Sequence, residues 1–220
     1  MKAAMKWAAW YELRVPDEIS RLRALRQAIL KWTDLAQREF AARWEGQEGV
    51  ADWRADWGYD PQADDAFTLQ QTERVLFASL AVTISSTVES FVADICTSLR
   101  LKLRDRADYG CKATALEEKL GVKFLSLPGH KAQRKARLLS NCFKHFGGKT
   151  DGEYVKAFDG PKDQEIEYEG EDWAGLLSGV ETFLLAVAAK IPEVSVRIED
   201  VQRLLRENRA AAKAEAGENE

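Results

Sequence analysis

The sequence predicts an all-α protein, a bundle of about five to seven helices, and three observations carry that expectation. Apolar residues recur at steps of three and four over long stretches. Glycine (14) and proline (5) are sparse in a chain of 220 residues. Alternation of apolar and polar residues appears only weakly, in "DQEIEYEG", which reads as a short strand or an extended arm. With 45% hydrophobic and 31% charged residues, the chain is long enough to bury a core without disulfide or metal staples.

The first helix is expected to open at "PDEIS", where Asp17 can accept hydrogen bonds from the first free amides just after Pro16. Ile19, Leu22, Leu25, Ile29, Leu35 or Ala36, and Phe40 continue its apolar face to about Trp44. Gly46, Gly49, Gly58 and Pro61 then mark a long connector in which Trp53, Trp57 and Tyr59 need a place to pack. The second helix carries the strongest pattern: Leu76, Leu80, Ile84, Val88, Val92, Ile95 and Leu99 form one stripe, and the other faces between 75 and 88 are uncharged too. This is a central helix covered on most sides. Glu89, the first charge after that run, would need a donor, and a cation from another helix is expected to supply it.

A short helix over "ALEEKLG" should close at Gly121, and "LSLPGHKAQ" reads as a turn. The next helix, over 132–146, presents Ala132, Ala136, Leu139, Phe143 and Phe146 to the core and stops at Gly147 and Gly148. Trp173, Leu176, Leu177, Val180, Leu184, Val187 and Ile191 define a further amphipathic helix, and a last one is expected over about 194–205. The domain reading is a Trp-rich helical segment over 1–60 packed on a helical core over 61–206, followed by a flexible tail over 207–220.

A formal charge of −4 means that any contact with nucleic acid would have to come from a local basic patch. Cys96, Cys111 and Cys142 show no C-x-x-C spacing, and two histidines are too few for an obvious zinc set, so reduced thiols in a cytoplasmic protein are expected, with no metal and no cofactor. Lys6, Glu12 and Arg14 interrupt the N-terminal apolar stretch, which argues against a signal peptide. The longest uncharged run, 75–88, is shorter than the roughly 20 residues a bilayer span needs, so no membrane segment is expected.

The candidate site lies on the 132–146 helix. Arg137, Asn141 and His145 are spaced four apart, drift only about 40° per step and so line one face, with Ser140 and Lys144 beside them. With "LLSNCFKHFGG" on a helix that follows "LAVTISSTVESFVADIC", the chain resembles the HEPN superfamily over residues 69–191, the late segment "EDWAGLLSGVETFL" included. The resemblance implies an all-α HEPN-like bundle, often dimeric. Many members are metal-independent ribonucleases of bacterial toxin–antitoxin, phage-defence and RNA-guided systems. The family motif is an arginine, four to six residues, then a histidine, commonly with a polar residue after the arginine. Carried over, His145 matches the histidine, Asn141 the polar residue, and Ser140 stands where the arginine would. Arg137 is the nearest upstream arginine, seven intervening residues from His145.

Metal-free RNA cleavage needs a group that exchanges protons near neutral pH and a fixed cation for the charge building on the phosphate. His145 would be the acid/base and Asn141 an orienter. Serine cannot supply the charge, so Arg137 or Lys144 would have to. Two functions therefore stay open: an RNA-cleaving effector of a toxin–antitoxin or phage-defence system, and a non-catalytic HEPN-like module that binds a protein or RNA partner. A homodimer is expected, because one copy of this face offers a single histidine and displaced cations, so a working site would need a second copy across a two-fold axis.

Plainer roles stand beside these. His145 could simply bond the carbonyls that end its helix, and the basic residues could be a solvated face. Asn141 could satisfy a backbone group, and Cys142 reads as a structural thiol. All the tryptophans except Trp173 precede residue 58, where they fill a helical hairpin or mark an interface. His130 reads as a surface loop residue.

Overall fold

In a computed structural model, residues 4–45, 60–104, 107–158, 161–168, 171–192 and 195–197 are described, and they form a helical bundle with one short two-stranded ribbon. The expected connector at 46–59 and the tail at 207–220 lie outside the described residues.

Helix α1 (Trp7–Trp44) begins nine residues earlier than "PDEIS" suggests and runs through Pro16. Proline costs a helix one hydrogen bond and crowds the preceding turn. Here packing outweighs that cost, because Trp7, Tyr11, Val15 and Ile19 fall one turn apart and all are buried. Tyr11 meets Phe91 edge-on at 5.2 Å and shares a 2.8 Å hydrogen bond with Ser98. Beyond Ile29 the stripe leaves the core: Leu35 is 54% exposed, although its spacing continues the buried face.

Helix α2 (Pro61–Ser98) is the central element, capped by Asp60, whose side chain accepts from the amides of Gln62 and Ala63. Leu80, Ala81, Ile84, Val88, Val92 and Ile95 are buried along it. By length and composition this helix could cross a bilayer: one 18-residue window has a mean hydropathy of 1.7, and 44% of that window is buried inside the fold. Glu89 takes its hydrogen bond from Ser85 Oγ, one turn back on the same helix, at 3.2 Å, so the donor is a hydroxyl of α2 where a cation of another helix was expected.

Helix α3 (Tyr109–Leu120) is capped by Asp108 and ends at Gly121 in the left-handed conformation. A 3-10 turn (Phe124–Ser126) leads to helix α4 (His130–His145), which packs against both α2 and α6 (Trp173–Ala188). A short helix α5 (Gly152–Phe158), without an apolar stripe to announce it, sits against α4. Of the "DQEIEYEG" segment, residues 163–168 are described; they form an arm with a single bridge and no named strand. Glu165 bridges Lys149, and the arm lays Tyr168 flat on Phe77 at 5.1 Å.

Strands β1 (Ala4–Lys6) and β2 (Ser195–Arg197) pair antiparallel, with Met5 opposite Val196. The helix expected over 194–205 is therefore corrected at 195–197; pairing with a partner far away in sequence overrides the local helical pattern there. Positions 198–205 lie outside the described residues.

Candidate functional site

Helices α3 and α4 are joined end to end by the 122–129 connection, so a groove between them is closed at that end by the chain itself. Two adjoining hollows of about 360 and 590 Å³ make up the groove, and Tyr109, Gly110 and Arg137 line both. The hollow beside the connection adds His130, Gln133 and Arg134 from α4, Thr114 and Glu117 from α3, and Phe124 and Leu125 from the 3-10 turn. The other hollow adds Asn141, Glu89, Asp108 and Lys112.

The walls are held from below. Gln133, 4% exposed, donates from Nε2 to Tyr109 Oη at 2.9 Å. Burial, above all other influences, pushes the Tyr109 phenol well above the usual range, so it stays a neutral hydroxyl. Glu117 accepts from the Phe124 amide at 2.6 Å and from Lys123 Nζ at 3.3 Å, which fixes the 3-10 turn to the end of α3. At the other end Asp108 accepts from the Cys111 amide at 2.8 Å as the cap of α3.

Of the four residues picked from sequence, Arg137 and Asn141 line the groove, half-buried. Lys144 and His145 follow on the same edge of α4 but are exposed and line neither hollow. The helix ends without help from His145: the amides of Phe146 and Gly148 both reach the Cys142 carbonyl, and among the described residues the His145 side chain has no hydrogen bond or ion pair. Two expectations on this helix need correction. Ser140 does not lie beside the polar face; it is 0% exposed, and its Oγ has no hydrogen-bond partner among the described residues. Because α2 and α6 flank α4, its buried sector is wide and takes in Gln133 and Ser140. Phe146, expected inside, is 50% exposed, because α4 stops one residue before it. Cys142 is buried, and burial raises its thiol above the ordinary range, as suits a structural residue.

His130 was the residue most easily missed. It is not in a loop: it is the first residue of α4, and it shares the hollow beside the connection with Arg134 and Arg137. Its ring lies 6.4 Å from that of Phe183, and burial first, then Arg134, holds its imidazole below the usual histidine range. The available signal was spacing. His130, Arg134, Arg137, Asn141 and Lys144 repeat at four, three, four and three, the same period that marks a buried stripe but carried by polar residues.

From 129 to 150 the chain contains no Asp or Glu, against Lys131, Arg134, Lys135, Arg137, Lys144 and Lys149. Lys135 is engaged, at 2.5 Å from Glu171 and over the Phe158 ring. Lys131, Arg134, Arg137 and Lys144 have no ion pair among the described residues. Among those residues, no cluster of three or more His, Cys, Asp or Glu side chains could hold a metal ion. Compared with family models, curated proteins and solved structures, the chain matches none.

Proposed function

We propose that this chain is a HEPN-like helical module that binds RNA along α4. The observation that carries the reading is the acid-free basic edge of that helix, with Arg134, Arg137 and Lys144 in no ion pair among the described residues of an otherwise acidic protein. Phosphates replace bound counterions at such an edge, and Arg137 is half-buried, which fixes its guanidinium better than a fully solvated side chain. Ser140 favours binding over cleavage: the position matched to the family's arginine faces the core and offers no charge to a phosphate.

A second reading, metal-independent cleavage, draws on one further observation. Arg137, Asn141, Lys144 and His145 follow one another along one edge of α4, so a strand held by the first two would run toward an imidazole that has no hydrogen bond among the described residues. In that case His145 is the acid/base, Asn141 orients, and Arg137 or Lys144 stabilises the phosphate. A two-fold dimer would add a second copy of the edge. A role in a toxin–antitoxin or phage-defence system rests on the HEPN-like reading alone.

The test is fluorescence anisotropy with single-stranded RNA over a salt series, run beside a cleavage assay in chelator. Binding whose log affinity falls with log salt at a slope of about −2 to −3 supports the module, since three or four contacts are in play. No binding at low salt rules it out. Cleavage in chelator moves the assignment to the second reading.

A further inference from the structure

We infer that the closed end of the α3–α4 groove is a seat for a terminal phosphate monoester, the phosphorylated end of an RNA strand or a nucleotide, held by His130, Arg134 and Arg137. The inference rests on the proposed role of α4 in RNA binding and says where along α4 a strand ends.

The first argument is topological. A strand lying along α4 from Lys144 past Asn141 and Arg137 meets the 122–129 connection, whose Phe124 and Leu125 line the hollow beside His130. A wall at that end suits a chain terminus better than the middle of a strand. The second is the chemistry of that end. Arg134 and Arg137 lie four and seven residues after His130, on one edge of one helix, so two guanidinium groups and an imidazole converge on a hollow of about 360 Å³. Guanidinium groups match phosphate oxygens through paired N–H donors. A monoester presents one more charged oxygen than a backbone phosphodiester, so several donors at one point are better used on a terminus.

The third argument concerns the one carboxylate in this hollow. Glu117 would repel a phosphate, but one of its oxygens accepts from the Phe124 amide and the other from Lys123. Both its oxygens are thus engaged away from the cationic cluster, and it holds the 3-10 turn that forms the end wall. On that wall Leu125 is 74% exposed, an apolar surface next to the cationic cluster and of a kind that a terminal base can cover. Burial keeps the His130 imidazole on the neutral side of its ordinary range, so it serves the phosphate as a hydrogen-bond donor through one ring nitrogen while the arginines supply the charge.

The experiment compares one short single-stranded oligoribonucleotide in three forms: hydroxyl-ended, 5′-phosphorylated and 3′-phosphorylated. One phosphorylated form is expected to bind about tenfold more tightly than the hydroxyl-ended one, the size of a charge-assisted hydrogen bond gained. Arg134→Gln should abolish that difference, whereas Lys144→Ala should weaken all three forms alike. Equal affinities for the three forms in the wild type overturn the inference and leave RNA binding standing. If no form binds, the RNA reading fails, and adenosine monophosphate and inorganic phosphate are titrated while the His130 imidazole signals are followed by NMR. Saturable movement that Arg134→Gln removes keeps the seat as a nucleotide site; unmoved signals overturn it.

Discussion

Gln133 on α4 donates to the phenol oxygen of Tyr109 on α3 at 2.9 Å, a contact between buried or half-buried groups that ties the two walls of the groove together below its mouth. Tyr109→Phe keeps the ring and removes the acceptor, leaving the buried Gln133 amide without its partner. The cost is expected at about 1–3 kcal/mol, as for other buried groups left unpaired. Urea unfolding of the wild type and variant measures it. A change below about 0.5 kcal/mol would mean that the bond contributes nothing to holding the walls.

The pH dependence of stability has a definite sign at His130. Burial against Phe183 lowers its pKa, Arg134 and Arg137 add to this, and Glu117 opposes them. The unfolded imidazole titrates near about 6.5. Above that pH neither state is protonated and the contribution of the buried neutral ring is fully present. As pH falls through the folded pKa the unfolded chain has taken up a proton that the folded one resists, so stability is lost. An NMR titration of the His130 ring should therefore give a midpoint below about 6.5. His130→Gln should flatten the decline in stability between about pH 7 and pH 5. A midpoint above 6.5 contradicts the assignment.

Helices α2, α4 and α6 were legible in the sequence because their apolar residues keep a helical period over many turns, and burial follows it at Leu80, Ile84, Leu139 and Val180. What misled was local. Pro16 reads as a helix start, since proline is at home in a first turn, and only the tertiary packing of Trp7, Tyr11 and Val15 carries the helix back through it. The β1–β2 ribbon joins strands of three residues from opposite ends of the chain, which leaves no periodic trace. In the site, Arg137 and Asn141 were legible from their spacing. Ser140 was not, because the width of the buried sector of α4 depends on two neighbours and not on its own sequence. His130 was hidden by "PGH", which looks like a turn when Gly129 is in fact the N-cap of α4.

Where α4 meets α6 the backbones come close, and two glycines make that approach. Gly129 has φ +76°, and a Cβ there would lie 2.2 Å from the Gly179 carbonyl oxygen and 2.6 Å from the Phe183 amide nitrogen. On Gly179 it would lie 2.4 Å from Ala132 Cβ. Both substitutions to alanine force backbone movement, and a loss of about 1–3 kcal/mol is expected for Gly179→Ala. Gly129→Ala should cost more, since the strained left-handed backbone adds to the clash. Because Gly129 precedes His130, its replacement should also move the His130 ring signals. Thermal melts that match the wild type for both variants would show that the helices do not pack this closely.

His145→Ala separates binding from cleavage. The side chain is exposed, has no hydrogen bond or ion pair among the described residues and takes no part in ending α4, so its loss should change stability by about 0.5 kcal/mol or less. Under the binding reading, RNA affinity falls only slightly, because Arg134, Arg137 and Lys144 provide the counterion exchange. Under the cleavage reading, affinity is likewise kept, but turnover in chelator falls by about 100-fold or more, the usual contribution of a positioned proton-transfer group. Arg137→Ala completes the comparison. In either reading it should weaken binding and reduce the salt slope by about 0.7, but only if a phosphate reacts at this edge should it also lower the rate at saturating RNA. Turnover in the wild type that survives in His145→Ala would exclude that histidine as the acid/base and trace the activity to another group or a contaminant.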